Sequence, residues 1–275
     1  MEIIQTKIEK NVASVEVIVT RKEIDAERDH AVDELSSQVT VKGFRQGKAP
    51  KTIAEQHLNQ EKVTDHVLNH LLSEAVSKTL SEYKYNLLGR PILESVDTKG
   101  KTEWKFSLNF PLYPEVALGD YRKMIQSAKK TTKTKKETLE TKDSDSTRRA
   151  SLDSTYQALL KGIEVDIPSS VIEEEVAYSL ERLTSQAKSL NLTMDKYLQA
   201  INRTMEQVKE EYRKSALESL KLDFILLEIA KKENIEATQK EIEDLAKSAG
   251  IPENQHSRLN SLIQRRKTID FLSAL

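Results

Sequence analysis

WKFSLNF, residues Trp104–Phe110, sets Trp104, Phe106, Leu108 and Phe110 at every second position and fills the gaps with Lys105, Ser107 and Asn109. Successive side chains of a strand point to opposite faces, so this spacing gives one buried and one wet face. ILESV (92–96) lies upstream and is expected to pair with it across a turn at Gly100. Residues 2–19 read as two more strands with a turn near Asn11, because VASVEVIVT is alternating and β-branched. Between these strands the period turns helical. From about Arg21 to Val39 a sparse stripe of Ile24, Ala31, Leu35 and Val39 runs among charges. Over 61–83, Val63, Val67, Leu71 and Ala75 with Leu68, Leu72, Val76 and Leu80 make a broad apolar face. Residues 1–120 therefore form an α+β domain, a small antiparallel sheet with long helices.

One stretch fits neither period. VKGFRQGKAP (Val41–Pro50) gathers two of the chain's 7 glycines, one of its 5 phenylalanines, three cations and a proline. Glycines four residues apart, ended by proline, mark an ordered turn. Pro50 suits the first turn of a short helix running to about Leu58. Phe44 at the tip either folds back under the loop or is displayed for a partner. In the second case Arg45 would meet an acidic or phosphate surface, and aromatic and arginine side chains dominate interface hot spots.

Composition breaks after the first domain. SAKKTTKTKKETLETKDSDSTRRA (127–150) carries one large apolar residue, Leu139, among Lys, Thr, Ser, Asp, Glu, Arg and Ala. Such a segment buries too little surface to offset its ordering entropy, so 121–151 is expected to be a Lys/Thr-rich linker. The cluster Lys129, Lys130, Lys133, Lys135 and Lys136 leaves a phosphate-contacting basic segment as the alternative. Residues 152–275 read as nearly all helix. Pro168 opens a helix with Ile172, Val176, Leu180, Leu183 and Ala187 in one stripe. From Thr204 to about Asn234 runs a long helix whose second half, LKLDFILLEIA, is apolar almost all round and must be covered by neighbours. Two shorter helices, about 238–248 and 255–273, complete an all-α C-terminal domain.

Chemistry-bearing motifs are scarce. The chain has no cysteine, hence no disulfide, thiolate metal site or Cys nucleophile. A net charge of −1 speaks against wholesale wrapping of nucleic acid. His66 and His70 stand i, i+4 on one helix, but Val67 follows His66 where a metalloprotease needs Glu, and no third ligand is evident. Gly47-Lys48 lacks the context of a phosphate loop, and RRAS (148–151) matches only a short basophilic phosphorylation pattern. The expectation is a protein with no catalytic residues, no metal and no cofactor. The N-terminus has no signal-like apolar run, and no 18-residue apolar stretch occurs. A soluble, cytoplasmic protein without membrane contact is expected.

GFRQGKAP resembles the G-F-R-x-G-K-x-P signature of the ribosome-binding domain of the bacterial trigger factor family. The resemblance continues through PKTIAEQHL, YNLLGRPILESV, WKFSLNFPLYPEVAL and GDYRK, then through GIEVDIPSSVIEEEV and RRKTIDFLSAL. It implies an ATP-independent holdase, partly ribosome-bound, whose partners are a ribosomal protein at the tunnel exit with adjacent rRNA, unfolded or nascent polypeptides, and a second copy as a homodimer. Carried over by position, the ribosome-binding residues are Gly43, Phe44, Arg45, Gln46, Gly47 and Lys48. The family's usual Lys is Gln46 here, which removes one cation from the tip, although Lys42 and Lys48 flank it. Shallower salt dependence is expected. The family's FKBP-like prolyl isomerase domain has no room between the two halves, so no isomerase activity is expected. Candidate client-binding residues are Met194, Tyr197, Leu198, Ile201, Met205, Leu222, Ile225 and Leu226, adaptable apolar side chains on the helical half. Two other readings remain at this point: a helical adaptor without chaperone activity, and a ribosome- or RNA-binding accessory protein acting through the lysine-rich segment.

Overall fold

Alternation fixes the first half. The computed structural model, which describes residues 1–41, 43–48, 50–98, 100, 102–136, 144–252 and 256–275, begins with strands β1 (Glu2–Glu9) and β2 (Val12–Thr20). Helices α1 (Arg21–Ser36), α2 (Lys51–His57) and α3 (Gln60–Tyr83) follow, then strands β3 (Ile92–Asp97) and β4 (Glu103–Pro111). The sheet is antiparallel with order β1-β2-β4-β3, so the two most strongly alternating strands lie at its centre. Their register sets Ala13 opposite Phe110, Val15 opposite Leu108, Val17 opposite Phe106 and Val19 opposite Trp104. Each pair matches a small or β-branched side chain with a large one on the covered face. The other face is polar: Ser14 Oγ donates to Asn109 Oδ1 at 2.8 Å and Ser95 Oγ to Ser107 Oγ at 3.0 Å.

The helices close the core over that face. α1 starts at a capping box in which the Glu23 carboxylate accepts from the Thr20 N–H at 2.9 Å. It buries Ile24 and Ala31 as its stripe requires, and Val32 as well, while Leu35 stays partly exposed. α3 buries Val63, Val67, Leu71 and Ala75, one residue per turn, and ends where Lys84 turns left-handed at φ 51°. These residues belong to one cluster with β2 and β4.

A second unit, Pro114–Leu275, contains only helices among its described residues. They are α4 (Tyr121–Lys136), α5 (Ser144–Gly162), α6 (Ser169–Ser189), α7 (Met194–Ala200), α8 (Met205–Lys232), α9 (Gln239–Ala249) and α10 (His256–Ala274). The all-apolar second half of α8 is covered as expected, with Phe224, Ile225, Leu226, Ile229 and Ala230 buried and α5, α6 and α10 packed along the helix.

The expected linker over 121–151 is corrected at both ends. Its described parts, 121–136 and 144–151, are helical, and α4 packs against α5. The first unit also ends at Tyr113 rather than at 120. The physical reason sits at the front of the segment: Tyr121 and Ile125, i and i+4, are both buried. The Tyr121 hydroxyl donates to Glu233 at the end of α8, and Arg122 Nη2 reaches the other oxygen of that carboxylate at 2.6 Å. Tyr121, then Arg122, holds the Glu233 carboxyl below its ordinary value. Lys129 Nζ donates to the carbonyls of Leu272 and Ser273 at 3.0 and 2.9 Å, placing a cation at the C-terminal end of α10. Leu139 and the side chains of Lys130, Lys133, Lys135 and Lys136 lie outside the described residues, as do those of 148–151.

α9 and α10 are joined by a polar clasp with a pH signature. Glu241 caps α9 by accepting from the Thr238 N–H at 2.7 Å, and Lys267 of α10 bonds the same carboxylate oxygen at 2.7 Å. Lys267, then Thr238, lowers this carboxyl from 4.5 to about 2. The unfolded chain therefore takes up the proton first as pH falls. The stabilisation is complete above pH 4.5 and is lost as pH drops toward 2. Glu241→Gln is expected to flatten the acid limb of a melting-temperature profile over that window. Equal steepness in wild type and variant would assign the acid sensitivity elsewhere.

Candidate functional site

The segment after α1 is shaped by its glycines. Gly47 has φ +70°, and a Cβ there would sit 2.6 Å from the Ser37 carbonyl oxygen, a backbone atom that cannot move aside cheaply. Gly43 has φ +93° in open space, so only its conformation demands glycine. Main-chain bonds fold the loop: Phe44 N–H to Val41 O at 3.0 Å, Lys48 N–H to Arg45 O at 2.9 Å and Gly47 N–H to Val39 O at 3.4 Å. Buried Val41 anchors one stem. The other runs into α2, where the Ile53 and Ala54 amides both donate to Pro50 O at 2.9 Å and Ala54 is buried.

This frame displays its tip. Phe44 is 42% exposed and does not fold back under the loop. Arg45 and Lys48 are exposed, and Arg45 forms no ion pair among the described residues. Gln46 is exposed as well, but its side chain is tied back: its Nε2 donates to Gln38 O at 3.0 Å. Lys42, expected to flank the tip, lies outside the described residues. An exposed aromatic ring beside an exposed guanidinium, on a loop bonded to its own stems, is a preorganised contact surface.

In the second unit the candidate client residues divide. Leu198, Ile225 and Leu226 are 7%, 0% and 2% exposed and belong to the core, which corrects their assignment to a client surface. α7 turns Leu198 toward Leu183 of α6 and Val208 of α8. Ile225 and Leu226 lie in the part of α8 that neighbouring helices cover. The others remain at least partly accessible. Met194, Tyr197 and Met205 rim the Leu183–Leu198–Val208 cluster. Beside it opens a crevice of about 350 Å³ in which Tyr197, Ile201 and Tyr212 surround Leu183 and Val208, with the ion pair Arg203–Glu211 also lining it. Leu222 lines a second crevice of about 540 Å³ between α5 and α8, with Tyr156, Leu160 and Glu218. Sequence reading missed the exposed Tyr178, Leu190 and Leu262. Tyr178 was findable, since two residues past buried Val176 is about 200° round the helix, off the apolar stripe.

His66 and His70 face carboxylates of α1 instead of each other. His66 Nε2 lies 3.3 Å from Glu34 and His70 Nδ1 3.0 Å from Glu27. Among the described residues no group of three metal-ligating side chains assembles, and no helix is long and apolar enough to cross a membrane.

Comparison with known proteins bears on both units. Residues 1–144 match the family model described as bacterial trigger factor protein, and residues 127–274 match that of its C-terminus. Trigger factor of Carboxydothermus hydrogenoformans is 31% identical over 201 residues, covering 69% of this chain and 46% of that protein. Trigger factor of Caldicellulosiruptor saccharolyticus is 35% identical over 100 residues, 35% of this chain and 23% of that one. The corresponding Nitrosomonas europaea protein is 34% identical over 110 residues, 39% and 25% of the two chains. The chain thus spans less than half the length of these curated relatives. A solved structure described as "Promiscuous Substrate Recognition in Folding and Assembly Activities of the Trigger Factor Chaperone" superposes with a TM-score of 0.71 at 16% identity, over 100% of this chain and 99% of that one. That likeness establishes the fold.

Proposed function

The chain belongs to the bacterial trigger factor family, and on that premise we propose that it is an ATP-independent chaperone that docks beside the ribosomal tunnel exit and shields apolar segments of new polypeptides. The observation that carries this reading is the 43–48 loop, which holds Phe44 out of its own core next to Arg45. An anchor of this kind gains by leaving water at an interface, with the cation meeting acidic side chains or phosphate there. The partners are a ribosomal protein at the exit and the nascent chain, and the place of action is the cytoplasm. Clients are held by weak apolar contacts at Tyr197, Ile201, Met194 and Met205, with Leu222 as a second contact. No nucleotide enters, because burial of the client's own apolar surface on folding draws it away. The two family models overlap at 127–144, leaving no interval between them for an isomerase domain, and we read the chain as a holdase without peptidyl-prolyl isomerase activity.

The test is suppression of aggregation of a chemically unfolded protein without ATP, alongside co-sedimentation with salt-washed ribosomes. Ile201→Asp places a charge in the crevice at a 43% exposed position, so the fold tolerates it. About three- to tenfold more variant is expected for half-protection, given the burial of one aliphatic side chain diluted over several contacts. Ribosome binding should not change. Equal protection by the variant would move the client surface away from this crevice, and no protection by wild type would sink the holdase reading.

A further inference from the structure

We propose that Gln46 is a positioning residue that braces the docking loop against the end of α1, leaving Phe44 and Arg45 as the outward contact pair. The proposal rests on the docking role assigned to this loop above. α1 stops at Ser36, and carbonyls past a helix end have no helical partner of their own. One of these is Gln38 O, which receives the Gln46 side-chain amide at 3.0 Å. The bonds Phe44 N–H to Val41 O and Lys48 N–H to Arg45 O span three residues each and only shape the loop internally. They leave it free to swing as a body about its stems. Among the described residues, two ties cross from the loop to the chain that leaves α1: Gly47 N–H to Val39 O at 3.4 Å and the Gln46 amide. The first is long, so the shorter side-chain bond is the better geometry of the two. The close approach of Gly47 to Ser37 brings residue 46 within reach of this carbonyl. Its side chain remains exposed, like those of its neighbours, but its amide is tied to the Gln38 carbonyl.

The role differs from that of a missing surface cation. A contact residue would change the number of ions released on docking, whereas a brace changes only how often the loop is in its docking shape. Gln46→Met keeps length and shape but loses the donor. In the free protein, amide exchange at Gly47 and Lys48 is expected to quicken about fivefold, the scale of one net hydrogen bond. Ribosome affinity should fall by at most about the same factor, since the loss equals the drop in the competent population. The slope of log affinity against log salt should stay that of wild type, while Arg45→Ala should flatten it by about one if Arg45 meets a phosphate. Gln46→Lys retains a donor of sufficient reach and should restore exchange protection. Unchanged exchange in Gln46→Met overturns the brace, whatever happens to binding. A slope that steepens by about one in Gln46→Lys, without recovered protection, also overturns it by aiming position 46 at the ribosome. If wild type fails to bind ribosomes, the docking role falls, and the exchange comparison still decides whether the brace exists.

Discussion

With Phe44→Ala/Arg45→Ala, the protein is expected to stay in the supernatant when salt-washed ribosomes are pelleted, while wild type sediments with them. Both side chains are exposed on a loop whose shape comes from main-chain bonds, two glycines and the Gln46 amide. Their removal therefore leaves the free fold unchanged, and circular dichroism and melting should match wild type. The effect on binding is large because interface anchors of this type cost about 2–4 kcal/mol on truncation. Losing both, at the low end of that range for each, takes the dissociation constant up by roughly three orders of magnitude, beyond what a pelleting assay retains. Equal pelleting of the double variant would place the anchor elsewhere, and the lysines from Lys129 onward would be the next segment to neutralise. Failure of wild type to pellet would make the displayed Phe44 a contact for some other partner.

How far the sequence revealed this depends on how local the governing physics is. Trp104, Phe106, Leu108 and Phe110 announce their strand because one-face burial in a sheet leaves a period of two in the chain, and β2 carries the same mark. β1, EIIQTKIE, has no such period, being an edge strand with most of its residues exposed. It was found only because a strong strand follows within a turn's length. The segment 121–151 was misread because an average over lysines and threonines hides Tyr121 and Ile125 at its front. Straight-chain lysines also favour helix, so low hydrophobicity over 121–136 goes with a helix covered at its front. α7, seven residues long, is too short for a 3.6-residue period to show.

The site follows the same division. GFRQGK fixed the turn because left-handed glycines are a local demand, met at Gly43 and Gly47. Whether Phe44 folds under the loop, and where Gln46 points, depends on carbonyls beyond the end of α1, which no local pattern encodes. The client surface was blurred for a related reason. A helix half that is apolar all round, as at Leu222, Ile225 and Leu226, shows that neighbours exist but not which side chain each one covers.

Phe106→Ala should have the largest effect on stability, and it separates the two units. Phe106 is 0% exposed on central strand β4, in register with Val17 on one side and Val96 on the other. Three strands and the overlying helices fix its surroundings, so they cannot close the space that alanine leaves. A phenylalanine-to-alanine change in such a core costs about 3–5 kcal/mol, a large share of the roughly 5–15 kcal/mol that holds a domain folded. The single tryptophan of the chain, Trp104, lies two residues away on the same strand, so its fluorescence reports on Met1–Tyr113. Helical ellipticity is weighted toward Pro114–Leu275. In urea the fluorescence midpoint should fall by about 2 M, taking a denaturant slope near 2 kcal/mol per molar. The main ellipticity transition should stay in place if each unit folds on its own core. Ile229→Ala, in buried α8, should do the reverse. A joint shift of both probes in either variant would make the chain one cooperative unit, and a fluorescence midpoint that barely moves would take Phe106 out of the core.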